Sequence, residues 1–345
     1  MESILLLAHT NAGGSLAKPA LEALQTARAL NAALAGSTLT VGLIGASIQP
    51  AANQIASCGA AKFLGVAGAD FDQSRYGTDA AAAEALVKAA NATLIIAAGT
   101  SRFARCLAGA AQRVGGRADT HVTNVEVIDG VVAIHRWYYR QRMEAVLHRA
   151  QRPWFILVDP GSQPAWQGVE GIANVEAVAM APSDSARRTA VTGFREPPAD
   201  AQTIRPDSPL LLVAGAGWTK KQSDGQAHVP EAEKCILGFL KQTRASLGSS
   251  KSLVDQSGEG QSVLSFLSHL NQIGQTGSTP RHAKGLSTCC HGEEPHTVGW
   301  RFINERRAIN LDPNCGWARG KADVLYVADA FKVVAKVSEL LAGKG

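Results

Sequence analysis

The sequence predicts an α/β protein of two doubly wound parallel-sheet domains, the first with an added antiparallel β-ribbon. Three observations lead there. Through residues 4–116, short apolar runs alternate with Ala-rich stretches of helical period, the pattern of β-α units feeding a parallel sheet. The pattern restarts at "LLLVAGAGWTKK" (210–221), after a stretch rich in Ser, Pro and charge. The chain has 345 residues, which at about 100–200 residues per domain is more than one core normally holds.

Ile4–Ala8 reads as the first strand, because its apolar run is short and an acidic residue precedes it, unlike a signal peptide. Lys18–Leu34 places Leu21, Leu24 and Leu30 at helical spacing. A strand over 39–45, a short helix from Gln49, and a strand over 62–68 follow. Then come an Ala-rich helix over 78–92, a buried strand over 93–99, and a helix from Ser101 that stops at Gly115-Gly116. Residues 120–161 read as several strands of a β-ribbon, with Asp129-Gly130 as a hairpin signal. The stretch 181–209 lacks apolar periodicity and reads as a linker. The expected division is a first domain over 1–195, a linker over 196–208 and a second domain over 209–345.

In the second domain, Leu210 begins a strand that runs into a Gly-rich turn, and "VPEAEKCILGFLKQTRASLG" is a helix. "SSKSLVDQSGEGQ" reads as strand plus loop, and "SVLSFLSHLNQ" as a short helix. "RRAINLDPN" and "KADVLYVAD" read as short strands, and the chain ends in the helix "DAFKVVAKVSELLAGK".

Hydrophobic residues make up 46% and charged residues 18%, which fits a folded α/β chain and excludes a disordered one. The net charge of +5, from 34 basic and 29 acidic residues, is too mild to point to nucleic acid. No apolar run reaches the ~18 residues that span a bilayer. The six cysteines (58, 106, 235, 289, 290 and 315) make no CxxC and are expected as reduced thiols in a cytoplasm.

Several short motifs carry polar chemistry. "VAGAGWTKK" (213–221) is neither GxGxxG nor a P-loop; it is either a ligand-side turn or a tight strand-to-helix connection. "GQTG" (274–277) offers two residues without side chains, the Gln275 amide and the Thr276 hydroxyl, suited either to a planar ligand or to a polar loop. "TCCHGEEPHT" (288–297) gathers Cys, His and Glu, but its adjacent Cys289 and Cys290 are poorly spaced for a metal; the other reading is a loop in which His296 bonds a ligand. Asn310 ends a strand. Asp323 and Asp329 either meet ribose hydroxyls or cap the last helix. "HRWYYRQRMEAVLHR" (135–149) mixes basic and aromatic residues, and at this net charge reads as a solvated ribbon face or partner interface. No GxSxG elbow supports a hydrolase.

The order of these motifs is more specific than any one of them. It resembles the FAD-binding domain of the electron transfer flavoprotein alpha subunit family, and the opening "HTNAGGSLAKPALEALQTARAL" resembles that family's start. The resemblance spans nearly the whole chain. The family's Gly-Gln-Thr-Gly falls on Gly274, Gln275, Thr276 and Gly277, its flavin-contacting His on His296, its strand-end Asn on Asn310, and its late Asp on Asp323. Its Ser-Arg pair falls on Ser250 and Lys251. Its "GGRG" turn falls on Gly215 to Trp218, with Gly217 where an Arg is expected. The Ser of its "SGAIQH" is His291 here, and Glu293 and Glu294 follow in place of apolar residues. Ser278 replaces a Lys or Arg, and about eight residues are inserted after Asp255.

The resemblance implies that FAD binds in the second domain. Lys251 with His296 would lie near the pyrimidine end, Thr276 near the ring's central nitrogen, and Asn310 and Asp323 on the ribityl and adenosine side. It also implies a beta subunit as partner, a flavoprotein dehydrogenase as electron donor and a quinone-linked acceptor, and a mechanism that needs no catalytic triad; spacing, charge and run length give the expectation of no metal, no nucleic acid and no membrane embedding. The alternative is a structural or regulatory subunit whose flavin site is degraded and which binds only a partner or an adenine nucleotide.

Overall fold

The computed structural model describes residues 1–138, 143–193, 204–205, 208–255, 263–273, 282–288 and 303–343. Its described residues form two compact units, Met1–Arg195 and Glu196–Gly345.

In the first unit, β1 (Ser3–His9), β2 (Thr38–Gly45), β3 (Lys62–Ala67) and β4 (Leu94–Ala98) alternate with α1 (Lys18–Ala33), α2 (Gln49–Gln54), α3 (Tyr76–Ala89) and α4 (Ser101–Arg113). Then come β5 (Arg117–Ile128), β6 (Val131–Tyr138), β7 (Met143–His148), β8 (Trp154–Val158) and β9 (Val175–Ala177). They make one nine-stranded sheet in the order β7-β6-β5-β8-β4-β1-β2-β3-β9. β6 pairs antiparallel with both β5 and β7, which is the expected ribbon, and the other neighbours are parallel. The period of two along β1 sorts the core into layers. Ile4, Leu6 and Ala8 pack with Ala20, Leu24 and Ala27 of α1. Leu5 and Leu7 face Ala83 and Leu86 of α3 and Phe103 and Leu107 of α4. Both faces are covered, as a mostly parallel sheet requires.

Two expectations for this unit are corrected. Residues 154–158 are not part of the ribbon. Trp154–Val158 is buried throughout and lies parallel between β5 and β4, because an unbroken apolar run is stable only where both sheet faces are covered. Nor is 181–193 linker. It carries the short helix α5 (Asp184–Arg187), and Arg187 pairs with Asp70 at 3.0 Å. A Cβ on Gly77 would lie 2.6 Å from the Ala186 carbonyl oxygen, so glycine is what lets this segment lie against α3. Small residues and an ion pair dock it, which is why it shows no apolar period.

The second unit comprises β10 (Leu210–Ala214), α6 (Val229–Thr243), β11 (Ser246–Ser249), α7 (Lys251–Asp255), β12 (His282–Thr288), β13 (Ile303–Asn310), α8 (Gly316–Lys321), β14 (Val324–Val327) and α9 (Ala330–Ala342). The five strands are all parallel, in the order β11-β10-β12-β13-β14. α6 and α9 cover one face through Ile236, Phe239, Ala330 and Val334 against Leu212, Leu247 and Ile309. Ile273 and Ala318 lie on the other face with Leu211, Val213 and Ala308.

Here too the sequence reading is adjusted. The segment from Lys251 is helix rather than strand, since the Ser250 hydroxyl accepts the Leu253 N–H and starts a turn. Within 263–273 only the 3-10 turn His269–Asn271 forms, because Ser268 and Asn271 satisfy each other's backbone in a capping box.

Candidate functional site

In an open parallel sheet, ligands bind outside the carboxyl ends of the strands where the strand order reverses. In the second unit that point lies between β10 and β12: β11 follows on one side of β10, and β12, β13 and β14 on the other. The backbone closes this edge tightly. Gly215 N–H donates to the Thr288 carbonyl at 2.9 Å, and Ser250 N–H donates to the Ala214 carbonyl at 2.9 Å. Gly215 and Gly217 therefore sit directly past β10, Ser250 past β11, and Asn310 at the end of β13.

Trp218 is the largest fully buried side chain among the described residues of this edge. Its Nε1–H donates to Thr288 Oγ1 at 2.9 Å. Its ring lies 4.5 Å from that of Phe331, tilted by 53°, so it ties the ends of β10 and β12 to the start of α9. Gly217 is buried with it, and its carbonyl accepts from Gln222 Nε2 at 3.0 Å. Lys251 is 65% exposed and sits 3.6 Å from Asp255. The buried Asn310 accepts the Asp312 N–H at 2.9 Å through Oδ1.

Asp323 is not brought to this edge. It precedes β14 at the amino ends of the strands, where it accepts the Arg306 N–H at 2.6 Å and the Arg306 guanidinium at 3.2 Å. Those bonds, the backbone one first, hold its carboxyl below the usual range. Asp329 takes the capping role instead, with Oδ1 accepting the Phe331 N–H at 2.8 Å. Gln275, Thr276, Gly277, His291 and His296 lie outside the described residues, as do Ser278, Glu293 and Glu294. The residues that lead into them are at the same edge: Ile273 N–H donates to the Ser249 carbonyl at 3.1 Å, and Thr288 ends β12.

Residues 4–198 match the family model for the electron transfer flavoprotein domain. The chain belongs to the electron transfer flavoprotein family. No curated protein matches it. The matched stretch is the first unit and the residues just after it, and membership carries an electron-transfer flavoprotein-like role. The carboxyl edge of the second unit lies outside that stretch.

Whether this edge suits an anionic dinucleotide such as FAD depends on its donors. Ser249 Oγ, at the end of β11, is buried with no hydrogen-bond partner among the described residues. Lys220 and Lys221 follow the Trp218 turn as exposed residues, and neither ammonium meets a carboxylate among the described residues. Together with Lys251 they place three exposed ammonium groups on the segments that follow β10 and β11, cations suited to an anionic dinucleotide, so the residues fit such a group. The sequence reading passed over both lysines and Ser249. The lysines stand plainly in "GAGWTKK" but belong to no phosphate-loop fingerprint. Ser249 carried no signal, because only the fold buries it. Among the described residues no cluster of His, Cys, Asp and Glu could hold a metal ion, and no helix is long and apolar enough to cross a membrane.

Proposed function

We propose that the chain is an alpha-type subunit that binds FAD at the carboxyl edge of its second unit and pairs with a beta-type subunit through its first, in the cytoplasm. Electrons would come from a flavoprotein dehydrogenase and pass to a quinone-linked acceptor. The observation that carries this reading is that Gly215, Gly217, Ser250, Lys251 and Asn310 all lie at the carboxyl edge of the parallel sheet whose strand order reverses between β10 and β12, in a chain whose first unit belongs to the electron transfer flavoprotein family. A bound flavin would supply the redox chemistry. The chain's own work is to bind and position it. Lys220 and Lys221 offset phosphate charge, Lys251 lies near the pyrimidine end of the flavin, Ser250 and Asn310 line the sugar side, and Trp218 keeps water out from beneath the strand ends. Gln275, Thr276, Gly277, His291 and His296 belong to the same proposal from the motif order.

Purifying the chain with a beta-type subunit and denaturing it should release FAD near one equivalent, and flavin absorbance bands should precede release. A preparation without either refutes the assignment.

One observation favours the second reading, a flavin-free subunit that binds only a partner or an adenine nucleotide. Where the resemblance expects an arginine stands Gly217, and the adjoining indole fills the turn. Reductive titration with dithionite separates the two readings, since only the first consumes reducing equivalents at the flavin.

A further inference from the structure

In the second unit a cleft of about 380 Å³ opens between the sheet and α9. Leu286 of β12 and Ile309 of β13 line it from the sheet, and Val333 and Val337, one helical turn apart, line it from α9. Leu286, Val333 and Val337 are only partly buried by the core they pack against. Protein interiors leave few gaps larger than a water molecule. Small-molecule sites are clefts of about 300–1,000 Å³ with an apolar lining and a few placed polar groups.

The charged groups of this cleft are both cations, Lys284 and Arg307. Lys284 lies two residues before Leu286, and Arg307 two before Ile309. By alternation each shares the face of its apolar neighbour and stands one step nearer the amino edge. β12 and β13 run parallel with Leu286 opposite Arg307, so the cations are diagonal neighbours across the pair. Arg307 Nη1 donates to the Tyr326 hydroxyl at 3.4 Å, and Tyr326 also lines the cleft. Its O–H is a further donor beside the two cations. Glu305 pairs in register with Lys284, and its carboxylate stands 4.0 Å from Arg307, but it does not line the cleft. Among the described residues no carboxylate lies within ion-pair distance of Lys284.

We infer that this cleft binds a small monocarboxylate with an apolar body. Lys284 and Arg307 hold the carboxylate, and the hydrocarbon lies between β12, β13 and α9. Cations and apolar groups share one sheet face, so a single molecule with charge at one end and hydrocarbon at the other meets both. Glu305 offsets one of the two positive charges, which favours a monoanion over a phosphate dianion. The site is separate from the proposed flavin edge, because Lys284 and Arg307 precede Thr288 and Asn310, the residues that end their strands.

The test titrates the full chain with 4-phenylbutanoate, 4-phenylbutanol and 4-phenylbutylammonium, each up to about 5 mM, by saturation-transfer NMR. An acid of this size should bind with a Kd of about 0.1–1 mM and slow hydrogen exchange at 284–286 and 307–309. The alcohol should bind about tenfold more weakly, and the ammonium more weakly still. Lys284→Gln, at an exposed position, should weaken the acid about fivefold and leave the alcohol within about twofold. Glu305→Gln should tighten the acid. Val337→Phe should fill the cleft and abolish binding of all three; if that variant fails to fold, Lys284→Gln still decides. Four results overturn the inference: no saturable binding of the acid, an alcohol or ammonium that binds as tightly, protection confined to other strands, or an acid affinity unchanged by Lys284→Gln. None of them bears on FAD content, so the flavin assignment stands or falls separately.

Discussion

Replacing Trp218 with phenylalanine tests what holds the carboxyl edge together. The indole is fully buried, donates to Thr288 Oγ1 at 2.9 Å and leans on Phe331. Phenylalanine keeps most of the ring contact but loses the donor, a net loss of about 1 kcal/mol. The smaller ring leaves a void that costs about another 1 kcal/mol if the site relaxes only in part. The expected destabilisation is therefore about 2 kcal/mol for Trp218→Phe, and about 3–5 kcal/mol for Trp218→Ala. Because the two units can unfold separately, a single midpoint is ambiguous. Native-state hydrogen exchange at the amides of β10 and β12 reads the second unit directly. Thr288→Val completes a double-mutant cycle whose coupling should be on the order of 1 kcal/mol. A Trp218→Phe protein whose β10 and β12 amides exchange at the original rate, or a cycle with no coupling, would refute the account of Trp218 as the tie between these strands.

Three further outcomes follow from the same reasoning. In the first unit Arg102 donates to both oxygens of Asp79, at 3.0 and 2.7 Å, with both side chains buried. Asp79→Leu should cost about 3–5 kcal/mol by stranding the guanidinium, and adding Arg102→Met should recover most of it, as measured by urea unfolding. Burial alone would raise the Asp119 carboxyl, but the bonds from Arg149 and from the Trp154 indole outweigh it and leave the group below its ordinary value. Its contribution is then full above the unfolded pKa of about 3.9 and is lost as pH falls through the lower folded value; Asp119→Asn should lower the urea midpoint at pH 7 and flatten its acid limb. For the proposed flavin site, Lys220→Ala with Lys221→Ala should weaken FAD binding by about tenfold and reduce its salt dependence, while Asp323→Asn should leave it within about twofold, as followed by flavin fluorescence on titration.

How much was legible depends on whether a feature is set locally or by pairing. α1 and α4 follow from periodicity and Gly punctuation that a few residues contain, and they form as read. By sequence β8 reads as ribbon because its neighbours in the chain are ribbon, yet its five buried residues pair with β4 and β5. That partnership depends on chain some sixty residues earlier, and no local pattern encodes it. The same limit explains the two aspartates of "KADVLYVAD". As residue types they are equivalent candidates for a sugar hydroxyl, and only the parallel pairing of β14 with β13 says which end each occupies. Arg307 aligns with Val324 and Asn310 with Val327, so Asp323 must lie at the amino edge and Asp329 beyond the carboxyl edge. Asp323 accordingly finds Arg306, and Asp329 finds the first turn of α9. Motif order was enough to suggest which segments share a site, because parallel strands joined by helices deliver all their carboxyl ends to one side. It could not assign residues that flank a strand of only four residues, where the two ends of the sheet are separated by little sequence and opposite chemistry.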